Sequence, residues 1–276
     1  MNSPSLAPLA PNPSLVFFTC ATGYYSNFVI PYVYFAALHN PGAKFEFIVN
    51  DADALRAKHA GALAWLETNL DAVVVLRDRP ATKAKMENSL RFIVEPLTKA
   101  DLVYIGDVDI MILDSIKEKH RKVFDAGLPY SNVVREGTKR LTGLHFTRYD
   151  SYYPLPEIDD LVANTVNDEE LLYKIVERKG ALFDQTQHKN NLVGRPVHGI
   201  HMSMNRFPFS AHAERVSWGM RYQDAKKMEA LLQSDHFQEF NKFMHKGPAH
   251  IVLNLTFLCR GICSYGEEFF AANVRP

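Results

Sequence analysis

Two aspartates set inside an otherwise apolar stretch constrain this chain more than any other feature. The segment Asp101 to Leu113 reads Asp-Leu-Val-Tyr-Ile-Gly-Asp-Val-Asp-Ile-Met-Ile-Leu. Leu102 to Ile105 and Ile110 to Leu113 have the character of buried strands. Asp107 and Asp109 stand between them, just after Gly106. On extended backbone, residues two apart share a face. Two carboxylates projecting together from the core of a sheet repel each other and lose solvation unless a positive group compensates. A hard divalent cation bridging to a phosphate meets that requirement. The alternative, a pair of capping or turn aspartates, would need a helix to start after Asp109, and four more strand-like residues follow instead.

The flanking pattern predicts an α/β fold. Leu15–Cys20, Phe45–Val49 and Ala72–Leu76 read as strands. Phe28–His39, with Pro31 in its first turn, and Ala54–Leu70 read as helices between them. Strand and helix in alternation imply a mostly parallel sheet with helices on both faces. A second Asp-x-Asp, Asp51-Ala52-Asp53, directly precedes a helical pattern, so helix capping accounts for it. Beyond the central strand, the pattern predicts a helix over Ser115–Phe124. Short strands are expected at Leu128–Val134, Leu141–Phe146 and Ala181–Asp184. Another helix should open at Asn167. The carboxyl-terminal part reads as helical at Asp224–Leu232 and His236–His245, and as helix or strand at Ile251–Cys259. Three segments are expected: a Pro-rich, disordered lead-in over 1–14, a catalytic domain over 15–210, and an extension over 211–276 packed on it.

Lysine plus arginine and aspartate plus glutamate number 31 each, a balance that argues against a nucleic-acid binder. Cys20, Cys259 and Cys263 are too few for a disulfide framework and read as free thiols. No signal peptide and no apolar run long enough to span a membrane is evident, which implies a cytoplasmic protein.

Tyr104-Ile105-Gly106-Asp107-Val108-Asp109-Ile110-Met111 resembles the Asp-x-Asp strand of nucleotide-sugar glycosyltransferases with the GT-A fold. It is most similar to the glycogenin-like and lipopolysaccharide-galactosyltransferase-like group, glycosyltransferase family eight. The resemblance runs over roughly residues 15–206. It implies a Mn²⁺-dependent hexosyltransferase, with Mg²⁺ possible, that uses a UDP-sugar and retains the anomeric configuration. The acceptor would be a glycan or another hydroxyl compound, as in polysaccharide biosynthesis. Asp107 would touch the ribose and the metal, and Asp109 the metal.

The loop after the first strand, Thr19-Cys20-Ala21-Thr22-Gly23-Tyr24, lies where open α/β sheets meet ligands. It also reads as a plain connection in which Ser26 or Asn27 caps the next helix. The resemblance implies nucleotide contacts from Thr19, Ala21 and Tyr24, from Val108 within the motif, and from Arg91 on the preceding helix. His201-Met202-Ser203-Met204, followed by Arg206, is similar to the family's metal-ligating histidine segment and its diphosphate-binding basic residue, with Met204 in place of a glycine. His201 is the expected third ligand, since imidazole beside two carboxylates suits Mn²⁺ better than Ca²⁺. His198 is its alternate.

Gly143 matches a family Asn-Ala-Gly, whereas Leu141 and Thr142 do not. Asp168 matches a family Asp-Gln, and Glu169 stands where the glutamine would be. A carboxylate there could serve as base or nucleophile. Tyr149, Tyr152 and Tyr153 could form a stacking wall for an acceptor sugar, or an exposed aromatic loop. Two other readings stay open: a sugar nucleotidyltransferase, which would carry a Gly-rich basic loop after its first strand, and a catalytically silent carbohydrate-binding relative.

Overall fold

The computed structural model describes Leu6 and residues 9–185, 198–202 and 222–273. Four strands form a parallel core: β1 (Leu15–Cys20), β2 (Lys44–Val49), β3 (Val73–Asp78) and β4 (Leu102–Ile105). Between them run α1 (Val29–His39), α2 (Ala52–Lys58), α3 (Ala60–Leu70) and the short α4 (Leu90–Ile93). After β4 come β5 (Ile110–Ile112), α5 (Ile116–Asp125), β6 (Tyr130–Ser131) and β7 (His145–Arg148). They are followed by α6 (Tyr149–Tyr152), α7 (Asp159–Asn164), α8 (Asp168–Arg178) and β8 (Gly199–His201). Helices α9 (Tyr222–Gln233), α10 (Asp235–Asn241) and α11 (Lys246–Asn273), the last broken at Gly266, complete the described chain.

The main sheet has the order β3-β2-β1-β4-β7-β6, with β7 and β6 antiparallel. The expected mostly parallel α/β sheet is therefore present. The central strands β1 and β4 are mostly apolar and fully buried because both faces are covered. Leu15 and Phe17 of β1, with Leu102 and Tyr104 of β4, pack into one core that includes α1, α9 and α11. Val16 and Phe18, with Val103 and Ile105, face a second core built on α8. Glu46 alone puts a charge inside β2. Arg77 reaches one of its oxygens at 3.2 Å, and the Leu97 and Thr98 N–H groups donate to the two oxygens at 2.9 and 2.8 Å. Those donors offset the desolvation of the buried carboxylate.

Several local expectations need correction. The predicted helix over Ala54–Leu70 is two helices joined at His59. Asp51 does cap the first, its Oδ1 accepting from the Ala54 N–H at 2.8 Å. Neither Ser26 nor Asn27 caps α1. Both bond back to carbonyls of a 3-10 turn over Gly23–Phe28.

Of the strand expected at Leu128–Val134, Tyr130 and Ser131 pair with β7 and Val134 makes a single antiparallel bridge to Leu141, while the continuous strand expected at Leu141–Phe146 begins at His145. Asn132 and Thr142 bond to each other through their side chains and so interrupt the ladder. Ala181–Asp184 is not a strand. Gly180 turns the chain at positive φ, and the Ala181 N–H is taken by the Val176 carbonyl at the end of α8. The carboxyl-terminal Ile251–Cys259 resolves as helix, within α11.

The tyrosines after β7 are neither an acceptor wall nor an exposed loop. Tyr152 and Tyr153 are buried. The Tyr152 hydroxyl donates to the Phe92 carbonyl at 2.9 Å, that of Tyr153 to the Val94 carbonyl, and that of Tyr149 to Glu95. Together they cap the end of α4, the helix that carries Arg91.

Among the described residues no helix is long and apolar enough to cross a membrane. All three cysteines are free.

Candidate metal and nucleotide site

The two aspartates sit on a turn and not on a strand. The chain leaves β4 at Ile105 and turns through Val108 and Asp109, and the Ile110 N–H returns to the Asp107 carbonyl at 3.3 Å. It then enters β5, which belongs to a separate two-stranded sheet with β8. The shared direction of Asp107 and Asp109 comes from this turn rather than from strand alternation. Gly106 makes the exit possible, since a Cβ there would lie 2.5 Å from the Tyr104 ring. The Gly106 carbonyl is fixed by the Thr19 hydroxyl, which donates to it at 2.6 Å.

Strand β8 delivers the histidine. Ile110 pairs with His201 and Ile112 with Gly199. Only glycine fits at 199, where a Cβ would fall 1.8 Å from the Met111 carbonyl oxygen. His201 Nε2 lies 3.2 Å from Asp109 Oδ1, and the Met202 N–H donates to the Asp109 carbonyl at 2.7 Å. Asp107, Asp109 and His201 each offer a ligand atom, all within 4.8 Å of one another. His198 points the other way. Its Nε2 meets His120 Nε2 at 2.5 Å, and its Nδ1 lies 3.7 Å from Asp114. Burial and the neighbouring His198 push His120 down to about 3.

The triad opens into a cleft of about 570 Å³ at the carboxyl end of β1 and β4. Arg91, 3 % exposed, anchors its floor. Its Nη2 lies 2.9 Å from Asp107 Oδ1, 3.1 Å from Asp168 Oδ2 and 3.3 Å from the Gly143 carbonyl. Burial disfavours the charged guanidinium, but Asp107 and Asp168 outweigh it and leave the pKa raised. Enclosure raises the pKa of Asp107, with Arg91 pulling the other way and Asp109 adding to the rise. Asn88 donates to Asp168 Oδ2 at 2.9 Å. Glu169 is held by Arg135 through Nε and Nη2, both at 2.5 Å.

Five carboxylates, Glu87, Asp107, Asp109, Asp168 and Glu169, line the cleft with two arginines, Arg91 and Arg135. That excess, with two carboxylates and an imidazole converging, fits a divalent cation of the Mn²⁺ or Mg²⁺ kind.

The remaining expected residues divide. Val108 lines the cleft. Thr19 and Ala21 are buried beneath it, and Tyr24 packs half-exposed against Tyr25 and Phe28. From that loop Cys20, Thr22 and Tyr25 face the cavity instead. The Thr22 hydroxyl donates to Glu87 at 2.6 Å, and the Gly23 N–H to Asn50 at 2.6 Å. Arg206, with Ser203 and Met204, lies outside the described residues. Asn88 and Arg135 were not anticipated. Asn88 stands three residues before Arg91, a spacing that could have revealed it. Arg135 carries no local signal.

The divergent geometry of the two histidines makes a prediction. His201→Ala should weaken Mn²⁺ binding at the cluster by at least about tenfold. His198→Ala should change it little and act on thermal stability. A direct Mn²⁺ titration of each variant checks this; equal defects in both would remove the assignment.

No protein-family model matches the chain, and no curated protein matches it. Solved structures do. Apo glycosyltransferase GlyE of Streptococcus pneumoniae TIGR4 matches at 10% identity and TM-score 0.44, over 64% of this chain. The match spans 46% of the GlyE chain, less than half its length. Galactosyltransferase LgtC, in complex with donor and acceptor sugar analogues, matches at 12% identity and TM-score 0.47, over 82% of this chain and 99% of that one. Mannosyltransferase PcManGT of Pyrobaculum calidifontis, in complex with GDP-Man and Mn²⁺, matches at 12% identity and TM-score 0.42, over 98% of this chain and 79% of that one. At such identities and TM-scores the likeness says nothing about substrates or residue roles.

Proposed function

We propose that the chain is a divalent-metal-dependent glycosyltransferase of GT-A type. It would move a hexose from a nucleoside-diphosphate sugar, a UDP-sugar in the first instance, to a hydroxyl group of a glycan or other acceptor, with retention. The observation that carries this reading is the Asp107–Asp109–His201 cluster opening into a cleft at the carboxyl end of the parallel strands. Asp107, Asp109 and His201 would hold the cation. When bound, it supplies positive charge to the diphosphate as negative charge develops on the leaving group. Thr22 and Tyr25 lie on the loop where base and ribose would be received. Arg91 fixes Asp107 and Asp168 relative to each other, so that Asp168 and Glu169 flank the position of the transferred sugar. Arg206 is proposed as a diphosphate contact by the sequence resemblance alone. The loop after β1, Ala21 to Tyr25, carries no lysine or arginine, which disfavours a nucleotidyltransferase.

The test is a screen of nucleotide-sugars for Mn²⁺-dependent release of the nucleoside diphosphate, alongside thermal melts with UDP. At a UDP concentration of about 100 times Kd, stabilisation of about 2.7 kcal/mol is expected with Mn²⁺, and much less without it. No release from any nucleotide-sugar, and no metal-dependent stabilisation by any nucleoside diphosphate, would overturn the proposal.

A further inference from the structure

We infer that Arg135 is a positioning residue of this cleft, acting through Glu169; the inference rests on the glycosyltransferase reading above. Both oxygens of Glu169 are occupied. Arg135 donates from Nε to Oε2 and from Nη2 to Oε1, and the Gly143 N–H donates to Oε1 at 3.2 Å. A carboxylate in a two-pronged pair with a guanidinium has its charge matched and its orientation fixed. It cannot turn to attack a carbon without breaking the pair. Glu169, a carboxylate where the resemblance implies an amide, is thereby held as a charge-matched, directed group.

The pair is built from the backbone outward. Arg135 lies on a tight connection in which its N–H donates to the Arg140 carbonyl at 2.8 Å. Its own carbonyl accepts from the Thr138 N–H at 3.1 Å and from the Thr138 hydroxyl at 2.9 Å. Gly137 makes the turn at φ 68°. The Leu141 N–H then donates to the Glu169 carbonyl at 3.2 Å, tying the connection to the first turn of α8. The Gly143 peptide is held from both sides, since its N–H serves Glu169 and its carbonyl takes Arg91 Nη2 at 3.3 Å. Adjacent carboxylates are thus matched by arginines from different elements: Asp168 by Arg91 of α4, and Glu169 by Arg135. Without Arg135, Glu169 would become an unmatched anion in a cleft already rich in carboxylates, where an anionic diphosphate has to bind.

The test is a double-variant cycle of Arg135→Met and Glu169→Gln, with nucleotide-sugar turnover measured in Mn²⁺ and melting temperature measured without metal. Glu169→Gln sets the baseline of the cycle, because it removes the carboxylate charge while an amide oxygen still accepts from Arg135 or Gly143. Arg135→Met should lose about 10- to 100-fold in kcat/KM, and the double variant should return to the level of Glu169→Gln. Rescue is the readout that a general loss of packing would not give. Arg135→Lys, which keeps the charge but not the fork, should fall between. In metal-free melts, Arg135→Met should lower the melting temperature less in the Glu169→Gln background than alone. Two results would overturn the inference: a double variant as impaired as Arg135→Met or more so, which would place Arg135 on the substrate; or additive melting temperatures. A parent protein inactive with every nucleotide-sugar would remove the functional reading itself, and this role with it.

Discussion

Asp109→Asn is expected to abolish Mn²⁺-dependent binding of UDP, by at least about 100-fold, while the protein stays folded. The variant keeps the shape of the side chain and loses its charge. The Asp109 carbonyl, which receives the Met202 N–H, is untouched, so β8 remains docked on β5. The amide can still accept from His201, whose Nε2 lies 3.2 Å from Asp109 Oδ1. The loss should therefore fall on cation binding, where an amide oxygen is a far weaker ligand than a carboxylate. Calorimetry of UDP binding with and without Mn²⁺ checks it. Unchanged binding in a folded variant would show that Asp109 does not hold the metal.

Arg91→Met should have the largest effect on stability. The guanidinium is buried between Asp107 and Asp168, and removing it leaves two carboxylates facing each other without a cation. Breaking a buried pair by removing one partner costs about 3–5 kcal/mol. Urea unfolding should show the midpoint shifted by that amount with an unchanged slope, since the surface exposed on unfolding is the same. Arg91→Lys should recover only part, because one ammonium cannot reproduce the planar reach to Asp107, Asp168 and the Gly143 carbonyl. A loss below about 1 kcal/mol for Arg91→Met would mean that the pairing contributes no more than a surface ion pair.

That Asp107 and Asp109 converge was legible in the sequence for two reasons. Apolar residues flank the aspartates on both sides, and no helix start follows Asp109. The rival pair at Asp51 and Asp53 was recognisable as capping by the same criterion, and Asp51 does cap α2. Residues three apart on a strand face opposite ways, so only one of His198 and His201 was expected at the aspartates; the order of Ser203 and Arg206 in the resemblance favoured His201, and it is His201 that lies beside Asp109. The partition of the central segment between two sheets was not visible. Leu102–Ile105 and Ile110–Ile112 are equally apolar, and periodicity does not say which neighbours a strand pairs with.

The phase of the loop after β1 was also hidden. It is set by the Thr19 hydroxyl turning to the Gly106 carbonyl, a contact between residues far apart in sequence. The same holds for Arg135, which meets Glu169 only because a short turn is pinned to the start of α8. Tyrosines beside prolines suggest an exposed loop. Here the hydroxyls of Tyr152 and Tyr153 reach carbonyls at the end of α4, and both rings are buried.

The small sheet of β5 and β8 gives the cation a second consequence, for chain entropy. A cation shared by Asp107, Asp109 and His201 would act as a removable cross-link between distant points of the chain, closing a long loop that includes α5, α8 and everything between. Such a link restricts the unfolded ensemble much as a disulfide does, and its contribution grows only slowly with loop length. Three residue pairs hold β8 in place. Amide exchange at Gly199, Ile200 and Met202 should therefore slow when Mn²⁺ is added, while exchange in β1 and β2, locked in the middle of the large sheet, should follow global unfolding. The ion that prepares the cleft for a diphosphate would then also fasten a short strand that lies outside the large sheet.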